Sequence, residues 1–153
     1  MIIIKESKTA DTRTCGVKTV SKDTLLKSTY QHLNDIKQGL DFFKLMLDDS
    51  IKHHDHDKLS NIDGFYHDFQ TNFTETTWWD NHRKVNRHHL TQDDGIPQDV
   101  NLIDVLDFIN DCVMAGMGRT GEVYPLHLSP ELLEKAFQNT ITLLKSQIIV
   151  DHS

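Results

Sequence analysis

The chain has 153 residues, 37 per cent apolar and 25 per cent charged, with a formal charge of −7 and ten histidines. That length encloses one ordinary domain with a core and room for a buried site, and the composition is that of a folded chain with a polar surface rather than a disordered one. The negative balance excludes a general duplex nucleic-acid binder, whose affinity rests on many cationic contacts to phosphate, and no apolar run approaches the ~18 residues of a membrane span.

The opening "MIIIKESK" is too short and lacks the cationic lead of a secretory signal, so a cytoplasmic protein is expected. Residues 1–20 join this β-prone run to the turn formers "TADTRTCG" and read as an N-terminal arm, ahead of a helical domain over 21–150. Cys15 and Cys112 lack zinc-type spacing and are expected as reduced structural thiols. From Ser21, a capping residue, a helix is predicted: Leu26, Tyr30, Leu33, Lys37 and Leu40 keep helical spacing, and Phe43, Leu47 and Ile51 continue the stripe. Gly39 and the pair Asp48, Asp49 offer break points.

"NIDGFYHDFQTNFT" puts Phe65, Phe69 and Phe73 on one helical side. "TETTWWDNHRKVNRHHL" reads as a helical segment ended by the turn signal "TQDDGIPQD". "VNLIDVLDFINDCVMAGM" predicts a largely buried helix. "GRTGEVYPLHL" is a loop, and "SPELLEKAFQNTITLLKSQIIV" a last helix with Ser129 as cap and Pro130 at its first position. The predicted class is all-α, with about five or six helices.

Chemistry concentrates in "IKHHDHDKLS". Seven of the ten histidines fall between His53 and His89, and neutral imidazoles with carboxylates are the donors a first-row divalent metal prefers. A solvated helix end would also be written this way. Adjacent His54 and Asp55 differ by ~100° around a helix, so an ion between them needs donors from other helices. His32 and Asp111 are the candidates. Asp111 follows Asp104 and Asp107 at i, i+3, i+7 on an otherwise apolar helix, where buried carboxylates need a metal or cationic neighbours. His32 can take part only if the chain reverses between about Lys37 and Ser50, because a continuous helix separates it from His54 by ~33 Å. That reversal is predicted.

The ordered set His32, His54 with Asp55, and Asp111 resembles the HD-domain superfamily of metal-dependent phosphohydrolases. The extended form "HDxxK", met here as His54, Asp55 and Lys58, is similar to that of HD-GYP phosphodiesterases and di-iron HD oxygenases, although no "GYP" follows. With "STYQHLNDI" and "GRTGEVYP" near its ends, a stretch of roughly residues 20 to 126 also looks like small HD-like proteins of phages and bacteria, which, if the chain is phage-encoded, would place it in a host cytoplasm. The resemblance implies one divalent transition ion (Mn, Fe, Co, Ni or Zn) on His32, His54, Asp55 and Asp111. A second ion is possible on His82 with His88 or His89. Against that second ion, His82 and His89 on one helix face would stand ~10 Å apart.

The implied activity is hydrolysis of a nucleotide or other small phosphoester. Lys58 would face a phosphate oxygen, Arg83 and Arg87 would clamp the same or the next phosphate, and Arg119 would reach the ligand from a loop. His82 or His89 would serve the leaving group, and Asp57 would accept a proton. Trp78 and Trp79 are expected in the core rather than stacked on a base. His53, His56 and His67 are expected in surface roles, and His127 and His152 as incidental. Neither a membrane nor a duplex partner is expected, and the oligomeric state is not legible. The competing readings are a di-iron oxygenase, a non-catalytic phage-type binding protein on the same scaffold, and, last, an all-α pyrophosphohydrolase suggested by "DVLD".

Overall fold

The chain is described by a computed structural model that covers residues 1–6 and 20–152; Cys15 and most of the expected arm lie outside the described residues. Among those residues the order is β1 (Ile2–Lys5), α1 (Lys22–His53), α2 (His56–Ser60), α3 (Ile62–Gln70), α4 (Thr77–Val85), a 3₁₀ turn (Asp93–Gly95), α5 (Leu102–Thr120), α6 (Pro130–Ser146) and β2 (Ile148–Asp151). Among the described residues the protein is all-α but for one small sheet. No described helix is long and apolar enough to cross a membrane. Two compact units emerge, Met1–Leu45 with Thr142–Ser153, and Met46–Ile141.

In the first unit Ser21 caps α1: its hydroxyl accepts from the Thr24 amide at 3.1 Å and its carbonyl from the Leu25 amide at 3.0 Å. The β-prone "MIIIK" finds a partner that periodicity alone did not suggest. β1 pairs in parallel with β2, Ile2 opposite Ile148 and Lys5 opposite Asp151. The last helix therefore ends at Ser146, not Val150, since the β-branched run "IIV" satisfies its amides across a ladder instead. His32 lines a mostly apolar pocket of about 260 Å³ in this unit, with Ile2, Ile4, Asp35, Leu144 and Ile148.

The expected reversal between Lys37 and Ser50 does not occur. α1 is one helix from Lys22 to His53, because neither Gly39 nor Asp48 and Asp49 outweighs 32 residues of helical spacing. His32 thus belongs to the first unit and is not among the described residues that could share an ion with His54.

The second unit is built on Leu90, Val100, Val105, Phe108 and Ala136, with Ile96, Leu102, Cys112, Leu128 and Leu132 packed around them. α5 starts with a capping box: Asn101 accepts from the Ile103 and Asp104 amides, and Asp104 accepts from the Asn101 amide at 2.8 Å. The helix is only half buried, since Leu106, Met114 and Met117 remain exposed. α6 begins as expected, with the Ser129 hydroxyl accepting from the Leu132 amide at 3.1 Å.

Candidate metal centre

Asp55 sits between α1 and α2 with φ 53° and ψ 18°. This left-handed conformation is uncommon outside glycine, although aspartate and asparagine tolerate it best. It turns the chain sharply, so His54 and Asp55 no longer obey helical angular spacing and their side chains meet on one side. The strained turn is held by its surroundings: the Asp55 amide donates to Asn86 Oδ1 at 2.9 Å, and Lys58 donates to Asp55 Oδ2.

α4 stops at Val85, earlier than the predicted segment, and Asn86 takes extended backbone. His82 therefore ends a helix while His88 and His89 fold back over it. The ring centroids of His82 and His89 are 4.7 Å apart, and those of His88 and His89 4.4 Å. The ~10 Å separation expected for a shared helix face is overturned by that break. Gly95 helps: a Cβ there would lie 2.7 Å from the His89 carbonyl, so only glycine lets the 3₁₀ turn approach the histidine loop.

The donors converge on Asp55. Oδ1 lies 3.4 Å from His82 Nε2 and 3.6 Å from His88 Nε2, and Oδ2 lies 3.6 Å from His54 Nε2. His54 Nε2 is 3.7 Å from Asp111 Oδ1. Two ligands at ~2.1 Å from a tetrahedral ion stand about 3.4 Å apart, so these separations are those of donors around a cation. Two sets sharing Asp55 could hold an ion: Asp55, His82, His88 and His89, and His54, Asp55 and Asp111. Among the described residues, Asp55 Oδ1, His82 Nε2 and His89 Nε2 are buried without a hydrogen-bond partner. Buried polar atoms are ordinarily paired, so three such atoms in one cluster fit a group that binds between them.

No family model matches the chain, and no curated protein or solved structure is significantly similar to it.

The ligand rings are oriented from behind. His82 Nδ1 lies 2.9 and 3.0 Å from the two Asp57 oxygens, and Trp78 and Trp79 stack on its ring at 4.5 and 5.2 Å. His54 Nδ1 lies 2.9 Å from Asp107 Oδ1. In each case a carboxylate accepts from Nδ1 and leaves Nε2 aimed at Asp55, the arrangement that fixes metal-binding tautomers. Asp57 is buried behind His82 and does not face the cleft, which removes it as a proton acceptor for substrate.

Burial first, then the neighbouring histidines, pushes His89 down from 6.5 to about 4, and burial with the His54 charge lowers His88 as well. Both rings are neutral at pH 7, the form that ligates. Burial alone would raise Asp55, but Lys58, His54 and His82 together hold its carboxyl below the ordinary value.

The stripe Asp104, Asp107, Asp111 divides its labour. Asp104 caps α5 and pairs with Arg87, Asp107 serves His54 and accepts from Ser50 at 2.8 Å, and Asp111 borders the cleft. Arg87 donates to Asp104 at 2.7 and 2.9 Å and to Asp99 at 3.0 Å; Arg83 donates to Asp80, Gln92 and Asp94. Both arginines are committed to protein carboxylates, so the expected phosphate clamp is not formed. Lys58 and Arg119 do line the cleft, a space of about 670 Å³ with Phe65, Phe69, Phe73, Trp79 and Tyr124 along its walls and His82, His88, His89 and Asp111 also lining it. Of the two tryptophans, Trp78 is in the core as expected, whereas Trp79 reaches the cleft.

Asn86 and Asp107 are the residues that sequence reasoning missed as part of the site. Asn86 is buried; besides holding the Asp55 amide, it donates to Asp57 Oδ1 at 2.8 Å and to the His82 carbonyl at 3.0 Å. Asp107 was visible as a member of the acidic stripe but had no assigned partner. The remaining histidines take local roles: His53 with Asp49, His56 with the His53 carbonyl, His67 with Glu75, and His152 with Glu6.

Proposed function

We propose that this protein is a metal-dependent hydrolase of small phosphoesters, nucleotides foremost among them. The observation that carries the reading is the meeting of three unpartnered donor atoms, Asp55 Oδ1, His82 Nε2 and His89 Nε2, where His82 and His89 line a cleft. Asp55, His82, His88 and His89 would hold one divalent transition ion, and His54, Asp55 and Asp111 a second. Nitrogen-rich sites with carboxylate suit Mn, Fe, Co, Ni or Zn. Such an ion supplies Lewis acidity and a nucleophile at neutral pH.

The chain's own residues supply the rest. Asp57 and Asp107 keep the His82 and His54 rings in the ligating tautomer. Arg119 offers a cation to the nonbridging phosphate oxygens from the cleft lining in place of the clamp expected of Arg83 and Arg87, and Lys58, which also lines the cleft, holds Asp55 in place. Phe65, Phe69 and Trp79 form an apolar wall that receives a planar leaving group and limits water around the ester. The likeness of the "HDxxK" residues to HD phosphohydrolases agrees with this chemistry.

The test is metal analysis of the purified chain, followed by phosphate release from a panel of nucleotides and simple phosphomonoesters. Wild type should carry transition metal, and Asp55→Ala should lose both metal and at least about a hundredfold in turnover. An Asp55→Ala variant that binds as much metal and hydrolyses as fast as the parent removes the proposal.

A di-iron oxygenase is the second reading, favoured by one feature: six donor side chains, His54, Asp55, His82, His88, His89 and Asp111, lie within the two sets. Iron at two per chain, a visible absorption band that changes on reduction, and no phosphate release would select it.

A further inference from the structure

α1 buries one side and leaves a second apolar side in solvent. Ser28 and Asp35 are buried, with Gln31, His32, Gln38, Phe42 and Phe43 partly so. Across the helix from them, Leu26, Leu33, Leu40 and Leu47 recur every seven residues, interleaved by Tyr30, Lys37, Lys44 and Ile51. The spacing of that series alternates four and three from Leu26 to Ile51, which is the a/d seam of a coiled coil with leucine at every d position. Leu33 is 57 % exposed, Leu40 63 % and Ile51 75 %. A surface helix needs only one apolar stripe, and one that keeps a regular second stripe over seven turns has it for another helix.

We infer that α1 is a dimerisation helix and that its partner is α1 of a second copy of this chain, packed antiparallel. The seam is self-complementary in one direction only. In a parallel pair, Lys37 would stack on Lys37 and Lys44 on Lys44 of the second copy at adjoining a layers. When one helix is reversed about a two-fold axis near Gln38 and Gly39, each Lys37 lies beside Leu40 of the other copy and within reach of its Asp41. Each Lys44 lies beside Leu33, and each Lys27, on the seam's flank, lies across from Asp48. The leucines then meet Lys stems, Tyr30 and Ile51 rather than repelling charges. The ion pairs that Lys27 and Lys37 make with Asp23 and Asp41 on their own helix are solvent-exposed, so exchanging them for partners on the second copy costs little. The pairing of the two helices is independent of the metal centre and of any catalytic activity.

Sedimentation equilibrium of the full chain, from micromolar to submillimolar, reads the association directly. Wild type should be a dimer, and the double variant Leu26→Glu, Leu33→Glu a monomer of unchanged helicity by circular dichroism, because both positions are at least half exposed in the single chain and neither lines the pocket beside His32. The milder Leu33→Ala should weaken the dimer while keeping the same fold, which guards against a double variant that misfolds. For direction, Lys27→Glu should raise the dissociation constant about threefold or more, and adding Asp48→Lys to the same chain should restore it. A wild type that stays monomeric throughout, or a Leu33→Ala dimer as tight as the parent, overturns the dimer. A dissociation constant indifferent to Lys27→Glu overturns the antiparallel arrangement.

Discussion

Asp107 accepts from His54 Nδ1 at 2.9 Å, and the same His54 ring presents Nε2 to Asp55 and Asp111. One carboxylate, a single helical turn ahead of Asp111 on α5, thereby decides which nitrogen of a candidate ligand is free. Asp107→Asn replaces the acceptor with a weaker one and frees the ring to turn. It should cut metal affinity about 10- to 100-fold with the helical content unchanged; competition against a chelating indicator dye measures it. Affinity equal to wild type would detach Asp107 from the centre.

Asn86 joins three pieces of chain: the left-handed Asp55 amide, the Asp57 carboxylate and the end of α4. Asn86→Ala leaves buried partners unpaired and should cost about 2–3 kcal/mol in urea unfolding, a value set by the desolvation of those partners. The same variant should lose metal, since the turn that aims Asp55 relaxes.

Arg87 offers a contrast between a structural and a substrate role. Its guanidinium is bidentate on Asp104, which is 4 % exposed, while its own side chain is nearly half exposed. Arg87→Ala should therefore destabilise the protein by about 1–2 kcal/mol, below the value for a fully buried pair because solvent screens this one. Phosphate release, where measured below the unfolding transition, should keep its KM. A raised KM at unchanged stability would return Arg87 to the substrate.

Much of the fold was legible because the helices carry strong spacing and caps, as Ser21, Ser129 and Pro130 illustrate. The candidate site was legible as a set of residue types, with His54, Asp55, His82, His88, His89 and Asp111 all in it. Its assembly was not, for two local reasons. The Asp55 turn and the Asn86 break are single-residue backbone choices fixed by hydrogen bonds to distant residues, and neither leaves a periodic trace. His32 was lost for the opposite reason: weak break signals at Gly39 and Asp48 were set against a long regular helix, and the helix won. Arg83 and Arg87 look like an anion clamp in sequence because their carboxylate partners Asp94, Asp99 and Asp104 lie farther along the chain, in the 3₁₀ turn, the loop after it and α5.

The lowered histidines set a pH dependence with a definite sign. His89 titrates near 6.5 when unfolded and about 4 when folded, and His88 is displaced the same way. Between those values the unfolded chain binds more protons, so stability of the metal-free protein should fall as pH drops from 6.5 toward 4. Asp55 and Asp57, held low, add to the loss only below their unfolded value of 3.8. Urea midpoints taken from pH 7.5 to 4.5 should fall steadily for wild type and more shallowly for His89→Gln. Identical slopes would mean that His89 is not held neutral by the fold.

Anomalous diffraction from crystals grown with manganese or zinc addresses the centre itself. The expected result is a peak at ligand distance from Asp55 and the Nε2 atoms of His82, His88 and His89, with any second peak on the His54 and Asp111 side of the same carboxylate. An ion bound elsewhere on the chain, with Asp55 still paired only to Lys58, would contradict it.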